Sequence, residues 1–206
     1  MNELSKSAEN RQMNFSKCLL SDIFVEEKLF LEKIVSQIKE SKELETFFAV
    51  ECGIDFIDKE ILIDDLKALA EFTKCNYDLE PFACDGSGGV YVILNNKKIG
   101  YIDSEGRAGI VANNLNDFFG IVINCGHLSD YTKFERLKDK SKFLEHFNKR
   151  NSSGDKEIIK RFVEKNHLEN DVDKIYDMFK NAVMTEPKLF FIATSDDYED
   201  YEQLFY

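Results

Sequence analysis

From Asp22 onward, apolar residues recur at three- and four-residue steps. Ile23, Phe24, Leu29, Phe30, Leu31, Ile34, Val35 and Ile38 mark one side, while Glu26, Glu27, Glu32, Lys33 and Lys39 fill the other. That spacing predicts an amphipathic helix. A second helix is predicted over residues 59–73, capped by Asp58, with Leu62, Leu66, Leu69 and Phe72 as its apolar stripe. The period then changes. Residues 90–94, 98–102 and 107–112 are short β-type runs, separated by Asn95-Asn96-Lys97 and by Asp103-Ser104-Glu105-Gly106. Both spacers carry turn chemistry, because Asn and Gly tolerate positive φ. The pattern is that of an antiparallel meander, led by a short strand at residues 82–84. Residues 90–94 are apolar on both faces, which predicts a central strand.

Asn113 or Asn114 is expected to cap a compact helix whose Leu115, Phe118, Phe119 and Val122 face the sheet, with Gly126 at its end. Helical spacing then returns in three stripes. These are Tyr131, Phe134, Leu137, Leu144 and Phe147, then Ile158, Ile159, Phe162 and Val163, then Val172, Ile175, Tyr176, Phe179 and Val183. A loop is expected at 151–154 and a last strand at 188–194. The predicted class is α+β: an antiparallel β-meander packed with flanking helices and extended by C-terminal helices. Residues 1–20 are expected to form a flexible or loosely helical N-terminus, residues 21–194 a single domain, and residues 195–206 an acidic tail.

Composition narrows the function classes. Lys and Arg total 27 against 39 Asp and Glu, a formal net charge of −12. That field opposes nucleic acid and anionic membrane surfaces and attracts basic proteins. No apolar run is long enough to span a bilayer, and residues 1–17 lack the apolar core of a secretory signal, so a cytoplasmic protein is expected. The five cysteines, Cys18, Cys52, Cys75, Cys84 and Cys125, form no C-x-x-C pair and are expected as reduced, mostly buried thiols.

Candidate chemistry is sparse. Asp85-Gly86-Ser87-Gly88-Gly89 is a glycine-rich loop, but a strand follows it where phosphate-binding loops require a helix, and no Gly-Lys-Ser/Thr is present. It is expected to be a structural turn in which Asp85 bonds backbone amides, with Gly→Val changes at Gly86, Gly88 or Gly89 lowering stability. Cys125-Gly126-His127 admits a nucleophile–base pair, against the simpler reading of a buried helix end. His and Cys show no metal-ligand spacing, so no metal and no cofactor is expected. The tail segment Asp196-Asp197-Tyr198-Glu199-Asp200-Tyr201 lacks the glycine of a calcium loop. It is either a solvated end or a docking site for a basic partner, since Tyr is enriched in interfaces. The turn bearing Asp103 and Glu105 is a second candidate contact.

Four linked pieces carry a family resemblance: Phe82-Ala83-Cys84-Asp85-Gly86-Ser87-Gly88-Gly89, the strand at 90–94, Tyr101-Ile102-Asp103, and Ala112-Asn113-Asn114-Leu115-Asn116-Asp117-Phe118-Phe119. In order and spacing they resemble the SUKH superfamily (Smi/Knr-like), which includes fungal cell-wall-assembly regulators and bacterial toxin-immunity proteins. The resemblance covers about a quarter of the chain. Residues 43–57 depart from it, without the Leu-Pro-led segment that follows the family's first helix. The resemblance implies no catalytic residues. It implies a scaffold that binds and blocks a cognate toxin domain, often a nuclease, inside the producing cell. An intracellular regulatory scaffold of the same superfamily is the alternative, followed by a small Cys/His enzyme.

Overall fold

The computed structural model describes residues 22–132, 135–151 and 157–205. The expected loose N-terminus, Cys18, Phe134 and the loop positions 152–154 lie outside the described residues. The fold is mixed α+β. Its sheet runs β2 (Leu79–Cys84), β3 (Val90–Leu94), β4 (Lys98–Ile102), β5 (Arg107–Ala112) and β7 (Glu202–Gln203), in that spatial order. β2 to β5 are an antiparallel meander. β7 adds to β5 in parallel, pairing Arg107 with Glu202 and Ala108 with Gln203. A separate two-stranded ribbon pairs β1 (Thr73–Cys75) with β6 (Phe191–Ala193).

Every residue of β3 is buried, as an apolar strand inside a sheet covered on both faces requires. Alternation then assigns its side chains to two cores. Tyr91 and Ile93 join Ile99, Tyr101, Phe118 and Phe119 on one face. Val90, Val92 and Leu94 join Ile102, Ala108 and Ile110 on the other, beneath Leu62 and Leu66. Each such aliphatic side chain contributes about 1.5–3 kcal/mol on burial, which makes β3 the strand most costly to displace.

The first core is roofed by α1 (Asp22–Glu40), α4 (Leu115–Cys125), α6 (Lys140–Asn151), α7 (Glu157–Asn166) and α8 (Val172–Val183). α4 is capped by Asn114, whose side chain accepts from Asp117 N–H, and it stops at Gly126 with φ +77°. The second core is covered by α3 (Lys59–Phe72), capped by Asp58 through Glu60 N–H, together with the β1–β6 ribbon. Between α1 and α3 lie the short α2 (Lys42–Thr46) and a π-helical turn (Phe47–Cys52), which bring Phe48 against Phe119 and Phe162.

Three expectations change. The stripe from Tyr131 to Phe147 is interrupted: a 3-10 turn (Leu128–Tyr131) and α5 (Glu135–Lys138) precede α6, where Asp139 accepts from Ser141 N–H at the restart. The restart shifts the phase, so Phe143 is fully buried and Leu144 only partly. Leu29, placed in the first apolar stripe, is exposed. Phe72, placed in the α3 stripe, is also exposed, and its backbone carbonyl accepts from Thr194 N–H.

Residues 195–205 are not simply a solvated tail. Tyr201 N–H donates to Phe191 O, Glu202 N–H to Gly106 O and Leu204 N–H to Ala108 O. Leu204 is completely buried, and the Phe205 ring meets Phe179 at 5.7 Å. The segment is therefore sewn to the sheet edge, leaving 195–200 as the exposed loop.

Candidate protein-interaction site

Two hairpin loops and the C-terminal segment gather at one end of the sheet. In the β2–β3 loop, Asp85 Oδ1 accepts from Ser87 N–H (2.7 Å) and Gly89 N–H (2.9 Å). Its Oδ2 accepts from the Tyr101 hydroxyl. Gly88 has φ +93°, a left-handed conformation that favours glycine. A Cβ on Gly89 would lie 2.6 Å from Tyr101 Oη. Gly86 differs: a Cβ there meets nothing within 4 Å and its φ is not positive, so the expected destabilisation does not extend to it. Both loop amides nearest the turn already donate to Asp85, so they do not form an open phosphate cradle.

In the β4–β5 loop, Asp103 Oδ1 accepts from Glu105 N–H (3.0 Å) and Arg107 N–H (2.8 Å). Its Oδ2 accepts from Arg107 Nε at 2.6 Å. Gly106 has φ +82°. Asp103 is 8% exposed, which corrects its expected role as an accessible contact: its carboxylate holds the turn together. Glu105 remains exposed, with Arg107 at 2.8 Å. The loops lie side by side, close enough that a Cβ added to Gly88 would reach 3.8 Å from Ser104 Cβ.

The tail residues divide. Asp200 Oδ1 accepts from Ala193 N–H at 2.8 Å, and the Tyr201 ring packs on Phe191 at 5.2 Å. Burial pushes the Tyr201 phenol above its ordinary pKa, with Asp103 adding to the shift. Tyr201 is structural, a correction to its expected role as an accessible partner contact, whereas Asp200 stays exposed while its Oδ1 ties the loop to β6. Asp196, Asp197, Tyr198 and Glu199 are exposed, and no ion pair among the described residues reaches the three acids.

Tyr91 and Tyr101 stack at 4.6 Å beneath the first loop. Burial raises both phenols well above the usual tyrosine range, and for Tyr101 the bond to Asp85 raises it further. Cys125 is fully buried inside α4, whereas His127 is exposed and its Nε2 lies 3.0 Å from Val50 O. Cys75 is pushed up to about 11, chiefly by burial, which keeps it a thiol. Among the described residues no group of three or more His, Cys, Asp or Glu could hold a metal ion. Nor is any described helix long and apolar enough to cross a membrane.

Tyr101 and Arg107 were not singled out from the sequence as aspartate partners. A signal existed for Arg107: Asp85 to Gly89 and Asp103 to Arg107 both place Asp first and Gly fourth. No such spacing marks Tyr101, which reaches Asp85 only through strand pairing. Comparison with protein-family models, curated proteins and solved structures finds no match.

Proposed function

We propose that this chain is a non-catalytic immunity protein that binds and neutralises a cognate toxin domain in the cytoplasm of the producing cell. The observation that carries the reading is the linked run from Phe82 to Phe119, whose order and spacing resemble the SUKH superfamily. Its aromatic positions pack as one unit, which is consistent with a shared sheet-and-helix core: Phe82 and Tyr91 each meet the Phe118 ring at 5.4 Å. The net charge of −12 supports a basic partner, because long-range attraction speeds encounter with a protein that exposes a cationic substrate groove.

The test is binding and growth rescue with a toxin domain encoded beside this gene. Expected is a tight complex whose on-rate falls as salt rises, while its off-rate changes less. Failure to bind or protect against any neighbouring toxin overturns the immunity reading in favour of a regulatory scaffold. Deleting residues 195–206 is a poor probe of contact, because it also removes β7 and the buried Leu204. Point changes in the exposed loop are the appropriate variants.

A further inference from the structure

We infer that the partner docks on the outward face of α3 and the tail loop beside it, a surface that fits a basic protein with an apolar centre; the inference rests on the protein-binding reading above. α3 buries Leu62 and Leu66 against the sheet. One flank of the helix, about 110° round from those leucines at 3.6 residues per turn, is uncovered. Ile61, Asp65, Ala68 and Phe72 follow at steps of four, three and four, so they form one stripe roughly 16 Å long.

The exposed apolar residues concentrate here. Of the eight large hydrophobic residues left exposed among the described residues, Ile57, Ile61, Phe72, Ile192 and Tyr198 lie on α3, its lead-in or the segments at its C-terminal end. All five are 39–55% exposed: Ile57 40%, Ile61 55%, Phe72 39%, Ile192 48% and Tyr198 47%. They are also held in place. The Tyr198 ring lies tilted against Phe72 at 4.6 Å, Thr194 Oγ1 donates to Phe72 O at 3.0 Å, and Ile192 pairs with Lys74 across the ribbon. Side chains already ordered lose little entropy on binding, which favours such a platform as a contact centre.

The rim is acidic. Asp65, Glu71, Asp196, Asp197 and Glu199 make no ion pair among the described residues, while the neighbouring Lys67 is bound to Asp64 at 2.8 Å. An apolar centre within a charged rim is the anatomy of a protein interface. Lysine and arginine side chains complement this rim, and an arginine can also lie over the Tyr198 ring. A second copy is disfavoured because both would carry the same −12 charge.

The probe is the purified toxin domain encoded beside this gene, measured against wild type and three double variants that keep the wild-type urea midpoint. Ile192→Ser with Tyr198→Ser should weaken Kd by about tenfold or more, mainly through faster dissociation. Asp65→Lys with Glu71→Lys should slow association several-fold and reduce its salt dependence. Leu29→Ser with Val50→Ser, exposed elsewhere, should stay within about twofold. Wild-type binding with both ridge variants unchanged overturns this surface and leaves the immunity reading intact. No binding by wild type overturns that reading and the surface with it.

Discussion

The loop joining β2 to β3 and the loop joining β4 to β5 share a plan. Each begins with an aspartate whose Oδ1 accepts from the amides two and four residues on, and each has a left-handed glycine in fourth place. They differ in what Oδ2 receives. Asp85 takes the hydroxyl of Tyr101, a buried side chain from β4, whereas Asp103 takes Arg107 from its own loop. The first loop is thereby fastened to the sheet interior, and the second is self-contained. The difference extends to the fifth position, where the Tyr101 hydroxyl leaves no room for a Cβ on Gly89 but the other loop uses Arg107 as the donor. One local motif thus serves as a core anchor or as a surface turn, according to its second partner.

The sharpest way to break this contrast is at the aspartates. Asp85→Ala removes two loop bonds and strands a buried hydroxyl, and should cost about 3 kcal/mol in urea unfolding. Asp103→Ala should cost about 1–2 kcal/mol, because Arg107 still reaches Glu105 and water. Equal losses would show that the second partner does not distinguish the loops. Gly89→Ala should cost about 2 kcal/mol by overpacking, and somewhat less in a Tyr101→Phe background, where the nearest of three close atoms is gone while Asp85 Oδ2 and Tyr101 Cε2 remain at 2.8 Å. An additive double-mutant cycle would contradict that account.

Smaller effects probe what the loops share. Gly88→Ala and Gly106→Ala should each cost about 1 kcal/mol, since both glycines have positive φ. Gly86→Ala should stay within about 0.5 kcal/mol in the same assay. A further difference emerges only in alkali. Burial and the bond to Asp85 raise the Tyr101 pKa on folding, so its contribution is fully present below the unfolded value near 10 and is lost as pH rises through the folded value. Stability should therefore fall above about pH 10, and Tyr101→Phe should flatten that fall in urea midpoints measured across pH 9–11. Arg107 stays charged throughout, so Arg107→Ala should leave the slope unchanged.

Much of the architecture was legible locally. The change from helical to alternating spacing located the meander, the doubly apolar run at 90–94 identified an interior strand, and Asp58 and Asn114 stand where caps were expected. Other features had no local signature. β1 is three residues long and exists because Thr73 meets Ala193, far away in the chain. Phe72 follows Leu69 at a helical step, yet lies outward with its ring against Tyr198 from the far end of the chain. The candidate contacts were harder still: Asp103 and Tyr201 look as solvent-facing as Asp196 in a linear reading.

By itself, the sequence determined the period of each main element, the turn-forming aspartates and glycines, and the negative charge that any partner meets. Those properties depend on neighbours within a few residues or on composition alone. Tertiary structure decided which aspartate is a structural acceptor, which aromatic is left outside, and that the tail closes the sheet edge with Leu204 buried against the core. The physical reason is that burial and hydrogen-bond partnership arise from contacts between distant segments. Identical Asp-x-x-Gly spacing therefore has different consequences when one second partner comes from a neighbouring strand and the other from the loop itself.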